Sequence, residues 1–192
     1  VLLRTLFEGL GAEVEVDEYA NIIARYSGRG EGVNAPSIAL MIHLDTAHGT
    51  RAISKLLTHP TWDGSPLTLP AQPSLVVSEQ TYPSLSTFLG HTLVHGPGDA
   101  PFGLDDKLGL THLLSLATLL SEQGEAEGAL EGVSLPPVWL IGRPDEEIGR
   151  DDALIGLAQR LKAGGVRRGY TVDGIEPFEV NVANFFGAQA SV

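Results

Sequence analysis

The chain has 192 residues, 43 % of them hydrophobic, which is apolar mass enough for one compact globular domain or most of one. Its 24 acidic against 12 basic side chains give a formal charge of −12, which argues against nucleic acid or an anionic membrane surface as partner, since both demand clustered Lys and Arg. The absence of cysteine removes disulfides, thiolate nucleophiles and Cys-based zinc sites; it suits a reducing, cytoplasmic setting and leaves any metal to His and carboxylates.

The sequence opens at Val1, without an initiator Met, on Leu2, Leu3, Leu6, Phe7 and Leu10, an apolar helical stripe with no N-cap. Val14 and Val16 alternate with charged residues, and Asn21 to Tyr26 can pair back on them as a hairpin. Ile38 to Ile42 is a continuous apolar run, which predicts a strand buried on both faces that ends directly in His43-Leu44-Asp45-Thr46. Residues 47 to 104, rich in Pro, Ser, Thr and Gly, predict a long irregular surface excursion with one or two short strands. From Asp106 the pattern changes: Leu110, Leu113, Leu114, Ala117 and Leu120 give one apolar helix face as far as Gly124, with the pair Asp105-Asp106 at its start. Val138 to Ile141 predicts a second buried strand, leading into Arg143-Pro144-Asp145-Glu146-Glu147. The next helix has Asp151 or Asp152 as N-cap, Leu154, Leu157, Ala158 and Leu161 as its stripe and Gly164 as its stop. Gly169 to Val172 predicts a further strand ending in Asp173-Gly174, and Ala183 to Val192 reads as strand material without a turn or polar tail, so truncation is expected at both ends.

Strand, helix, strand, helix, strand implies an α/β fold: a mixed, mainly parallel sheet flanked by helices, in which sites gather at the strands' carboxyl ends. His43 and Asp45 lie two apart, so an imidazole and a carboxylate can stand on one side of the strand, as a metal ligand and its support or as a plain structural pair. Asp105 and Asp106 can cap the helix start, or one can bridge metals while its neighbour caps; Gly103 and Gly109 around them permit an unusual turn beside a charged centre. The adjacent acids Asp145, Glu146 and Glu147 repel one another unless solvent, cations or shared protons intervene. If a cation is present, one Glu can bind it while the other holds water as a general base. Asp173 alone could simply begin a turn before Gly174. Taken together these groups supply imidazole and hard oxygen ligands without sulfur, a donor set that suits zinc, cobalt or manganese.

His43-Leu44-Asp45-Thr46, Gly103 to Gly109, Pro144 to Gly149 and Thr171-Val172-Asp173-Gly174 resemble, in order and spacing, the His-x-Asp-Thr, Gly-x-Asp-Asp-Lys-x-Gly, Pro-Asp-Glu-Glu-x-Gly and Thr-Val-Asp-Gly motifs of the co-catalytic dizinc peptidases. That family includes aminoacylase and carboxypeptidase G, and its tripeptide aminopeptidases are the most similar. The resemblance implies a catalytic domain with two zinc ions per complete site: His43 and Asp173 on one, Glu147 on the other, and Asp105 bridging both. It further implies that Asp45 orients His43, that Glu146 is the general base, and that the peptide between Asp105 and Asp106 is cis. The implied activity is release of the N-terminal residue of short peptides by a homodimer. Residues 1–183 would form part of the catalytic domain, and 184–192 the start of the crossing into a lid and dimerisation domain. The last His ligand of the second zinc belongs to a motif beyond that domain, and none of His48, His59, His91, His95 or His112 occupies it. Ile175-Glu176-Pro177-Phe178 departs from the glycine-rich family pattern, and Leu104 and Leu108 are larger than the usual Ala.

Other readings stay open: a zinc deacylase or carboxypeptidase of the same family, a non-catalytic homologue, or a glycosidase using Glu146 and Asp105 as an acid/base pair. The last leaves His43, Glu147 and Asp173 without roles.

Overall fold

A computed structural model of the chain describes residues 1–47, 49–122, 129–174 and 179–182. In chain order the elements are α1 (Leu2–Gly9), β1 (Glu13–Val16), β2 (Ile22–Tyr26), β3 (Ser37–His43), β4 (Leu57–His59), β5 (Leu67–Leu69), β6 (Gln72–Val77), β7 (Leu93–His95), α2 (Leu104–Ser121), β8 (Val138–Arg143), α3 (Asp151–Ala163) and β9 (Val166–Thr171). The expected crossing at 184–192, the departure at 175–178, Gly124 and His48 lie outside the described residues.

Five strands make the central sheet in the order β1-β2-β8-β3-β9. β3 pairs parallel with β8 on one side and with β9 on the other, while β2 is antiparallel to both β1 and β8, so the sheet is mixed. Of the parallel strands, β3 and β8 read as apolar runs because both their faces are covered, whereas β9, at the sheet edge, is mostly polar and exposed. On one face Ile22, Ala24, Tyr26, Ile42, Val138 and Leu140 pack with Phe7 of α1 and with Leu113, Ala117 and Leu120 of α2. On the other, Ile23, Ala39, Trp139 and Ile141 pack with Leu157 of α3. Alternate residues of each strand thus serve opposite layers, as the two-residue period of a strand requires. No helix among the described residues is long and apolar enough to cross a membrane.

Three expectations need correction. The excursion over residues 47 to 104 carries four short strands, paired as β4 with β7 and β5 with β6 in two separate antiparallel ladders. The β4–β7 ladder joins Leu57–His59 to Leu93–His95, a non-local pairing that no short-range pattern announces. The N-cap of α3 is Arg150; Asp151 and Asp152 fall in its first turn, where the helix dipole favours carboxylates without any capping bond. The buried face of α3 is also rotated: Ala153 and Leu157 are buried, whereas Leu154 and Ala158 are exposed. The cause is the β1–β2 hairpin. A Cβ on Gly156 would lie 2.8 Å from the ring of Tyr19, and Arg160 is ion-paired with Glu15 and Glu18, so this side of α3 is turned toward the hairpin.

Candidate metal centre

The site is built where β3, β8 and β9 end side by side. His43 closes β3 in register with Arg143 of β8, and Met41 stands opposite Thr171, two residues before Asp173. These ends bring together groups that are more than a hundred residues apart in sequence.

His43 is the buried centre, 3 % exposed. Its Nε2 lies 2.7 Å from Asp105 Oδ1 and 3.8 Å from Asp173 Oδ2, and its Nδ1 lies 3.4 Å from Asp45 Oδ1. One ligand atom from each of His43, Asp105 and Asp173 lies within 4.8 Å of the others. Asp45 is held in turn: its two carboxylate oxygens accept the backbone N–H groups of Glu146 at 3.2 Å and Glu147 at 3.1 Å. This ties the end of β3 to the loop after β8 and aims one carboxylate edge at the imidazole. Asp145, at φ 61°, supplies the left-handed turn from which that loop departs, a conformation Asp tolerates better than most residues.

Asp106, 4 % exposed, faces inward, while Asp105 is exposed and meets the His43 ring. Its carboxylate accepts the backbone N–H of His43 at 3.3 Å and that of Gly109 at 3.0 Å. Residues 105 and 106 have non-helical backbone angles, so the regular part of α2 starts after them with Asp106 capping it. The Asp105–Asp106 peptide is cis, as the family resemblance implies. Gly109 is the point of closest approach: a Cβ there would sit 2.3 Å from Asp106 Oδ1 and 2.4 Å from the carbonyl oxygen of Val172. Lys107 anchors the other side by donating from Nζ to the carbonyl oxygens of Leu44 at 2.9 Å and Asp45 at 3.4 Å.

Electrostatics follow from this packing. Burial opposes a charged His43, but the hydrogen bond to Asp105 and the negative charges of Asp105, Asp173 and Asp45 outweigh it and raise its pKa. Burial also opposes the Asp45 carboxylate, yet the N–H groups of Glu147 and Glu146 prevail and lower its pKa. In Asp106 burial wins over the N–H groups of Gly109 and His43, and the nearby Asp173 adds to the rise.

A cleft of about 110 Å³ opens beside these groups, lined by Met41, Ile42, His43, Arg143, Glu146, Thr171 and Asp173. The residues fit a cation. An imidazole nitrogen and two carboxylates converge, Nδ1 of His43 is buried without a hydrogen-bond partner but faces Asp45, and neither Asp105 nor Asp173 is ion-paired with Lys or Arg among the described residues. Of the residues predicted from sequence, His43, Asp45, Asp105 and Asp173 come together directly, and Glu146 lines a cleft with His43 and Asp173. Glu147 is exposed and meets the site through its backbone N–H, outside the close group of ligand atoms. His59 and His95 sit on the β4–β7 ladder, His91 packs edge-on to Phe88 and His112 is exposed on α2; none belongs to the group.

Sequence reasoning gave Lys107 and Arg143 no roles. For Lys107 the signal was its position inside the glycine-flanked Asp pair motif. Arg143 carried none beyond adjacency to a buried strand.

No protein-family model matches the chain. Peptidase T of Geobacillus thermodenitrificans is 31 % identical over 198 residues, covering 100 % of this chain and 45 % of that protein. Peptidase T of an Exiguobacterium species is 30 % identical over 183 residues, covering 94 % of this chain and 41 % of that protein. The solved aminopeptidase PepT from Bacillus cereus has a TM-score of 0.49 at 19 % identity, covering 90 % of this chain and 36 % of that one. The chain therefore spans less than half the length of the curated relatives it matches.

Proposed function

We propose that this chain, a relative of peptidase T along its whole length, is the metal-binding part of a dizinc aminopeptidase that releases the N-terminal residue of short peptides such as tripeptides. The observation that carries the reading is the convergence of His43 Nε2 on Asp105 and Asp173 with Asp45 behind the ring. In this reading residues 1–183 are part of the catalytic domain and 184–192 lead out of it, and the complete protein is a cytoplasmic homodimer.

His43 and Asp173 would hold one ion, Glu147 the other, and Asp105 both; cobalt or manganese suits the same donors. Zinc held there would supply Lewis-acid polarisation of the scissile carbonyl and a water acidified toward neutrality. The Asp45 carboxylate, 3.4 Å from Nδ1 of His43, would favour a proton on that nitrogen by its charge and leave Nε2 free to take a metal. Glu146, half-buried on the cleft wall, takes a proton from water and returns it to the departing amine. Asp106 and Lys107 act through the backbone, fixing where β3 and α2 meet.

The test is metal analysis of the full-length protein together with hydrolysis of free-amine tripeptides. Activity should vanish on complete metal removal and return with zinc; tripeptide cleavage that survives metal removal overturns the reading. A second reading, a zinc deacylase or carboxypeptidase, is favoured by the buried guanidinium of Arg143 in the same cleft. Preference for N-acyl amino acids over free-amine tripeptides would select it.

A further inference from the structure

Arg143 ends β8 in register with His43, so the two side chains stand on one face of the sheet, about one strand spacing of 4.8 Å apart. The arginine is nine-tenths buried, at 9 % exposure. Even so, it forms no ion pair among the described residues, and its Nε has no hydrogen-bond partner. Arg25 and Arg160, both more exposed, each carry carboxylate partners. A guanidinium keeps its charge throughout the physiological range, and burying one without an anion is costly.

Arg143 lines the cleft of about 110 Å³ shared with His43, Glu146 and Asp173. That space admits a carboxylate and a few carbons, far less than the several hundred Å³ of a pocket that encloses a whole small ligand. An anion reaching Arg143 must therefore belong to the part of the substrate beside the reacting bond. The planar fork of the guanidinium matches a carboxylate in bidentate fashion.

We propose that Arg143 is a specificity residue that binds a substrate carboxylate lying within one residue of the bond to be cleaved. The inference rests on the peptidase reading above. The carboxylate comes either from an acidic side chain flanking that bond or from the α-carboxylate of a dipeptide-sized substrate.

The test uses the full-length, zinc-loaded protein and peptide analogues in which CH2 replaces the scissile carbonyl, so that binding is read without turnover. Asp is compared with its isostere Asn on each side of the reduced bond, and a dipeptide analogue is compared as free acid and as amide. At least one carboxylate form should bind about 10–100-fold more tightly than its amide, and the pair that shows the difference identifies the source. Arg143→Met should bring that ratio to near one, and Arg143→Lys should restore part of it. Ratios near one for every pair in the wild-type protein overturn the proposal without any variant. A ratio that survives in folded Arg143→Met overturns the assignment to this residue. Tripeptide hydrolysis measured alongside reports on the aminopeptidase reading separately, because the binding ratio does not depend on it.

Discussion

The Nε2 atom of His43 meets the Oδ1 atom of Asp105 at 2.7 Å across 62 residues of sequence. The contact joins the end of β3 to the entry of α2, and it is the narrowest point of the candidate metal centre. Both groups can donate to a cation, and no Lys or Arg among the described residues competes for the carboxylate.

Asp45→Asn should lower zinc affinity about 10–100-fold, the usual cost of losing the carboxylate behind a ligating His. The variant also loses one of the two bonds by which Asp45 holds Glu146 and Glu147, because an amide offers a single acceptor oxygen. Competition with a chromophoric chelator measures the affinity, and a wild-type value in Asp45→Asn would remove Asp45 from the site.

Glu146→Gln in the full-length protein should reduce kcat by about 10²–10⁴-fold, the range for loss of a general acid–base group. Zinc content should stay at the wild-type level, since the proposed reading makes Glu146 the base and gives the metal contacts to His43, Asp105, Glu147 and Asp173. Metal loss that parallels the loss of activity would make Glu146 a ligand instead.

Gly109→Ala should destabilise the fold by about 1–3 kcal/mol through overpacking. Helix propensity pulls the other way by about 1 kcal/mol, so a net loss shows that the clash dominates. The new Cβ would face Asp106 Oδ1 at 2.3 Å and the Val172 carbonyl oxygen at 2.4 Å, and neither can retreat without breaking the joint between α2 and the sheet. The urea midpoint reports the effect; a variant as stable as wild type would show that this joint gives freely.

Burial pushes the Tyr26 phenol from 10.0 up to about 12, and its hydroxyl has no hydrogen-bond partner among the described residues. The folded-state pKa is the raised one, so the neutral phenol contributes its full stability below pH 10 and loses it as pH climbs from 10 to about 12. Tyr26→Phe should remove that alkaline loss and, near neutrality, leave stability within about 1 kcal/mol of wild type or above it, because no bond is broken and an unsatisfied group is deleted. Denaturant titrations across this pH range check it, and an unchanged alkaline loss in Tyr26→Phe would assign the titration to another group.

The sequence by itself determined the elements whose burial is two-sided or strongly periodic. Ile38 to Ile42 and Val138 to Ile141 read as central strands because alternate residues must satisfy helices on opposite faces, and the α2 stripe is legible because Leu113, Ala117 and Leu120 meet a single sheet. It also pointed to His43, Asp45, Asp105 and Asp173 as candidates for one site, since their motifs sit at strand ends or a helix start, and these four come together. Tertiary structure alone decided the rest. The face of α3 depends on the β1–β2 hairpin beside Gly156 and Arg160, and the β4–β7 ladder depends on partners far apart in sequence. The division between Asp105, meeting the His43 ring, and Asp106, clamping the backbone, likewise depends on where His43 and Gly109 come to lie. Periodicity records which side of an element is buried, but it carries no record of which distant group will meet a given polar atom; that is set when the layers close.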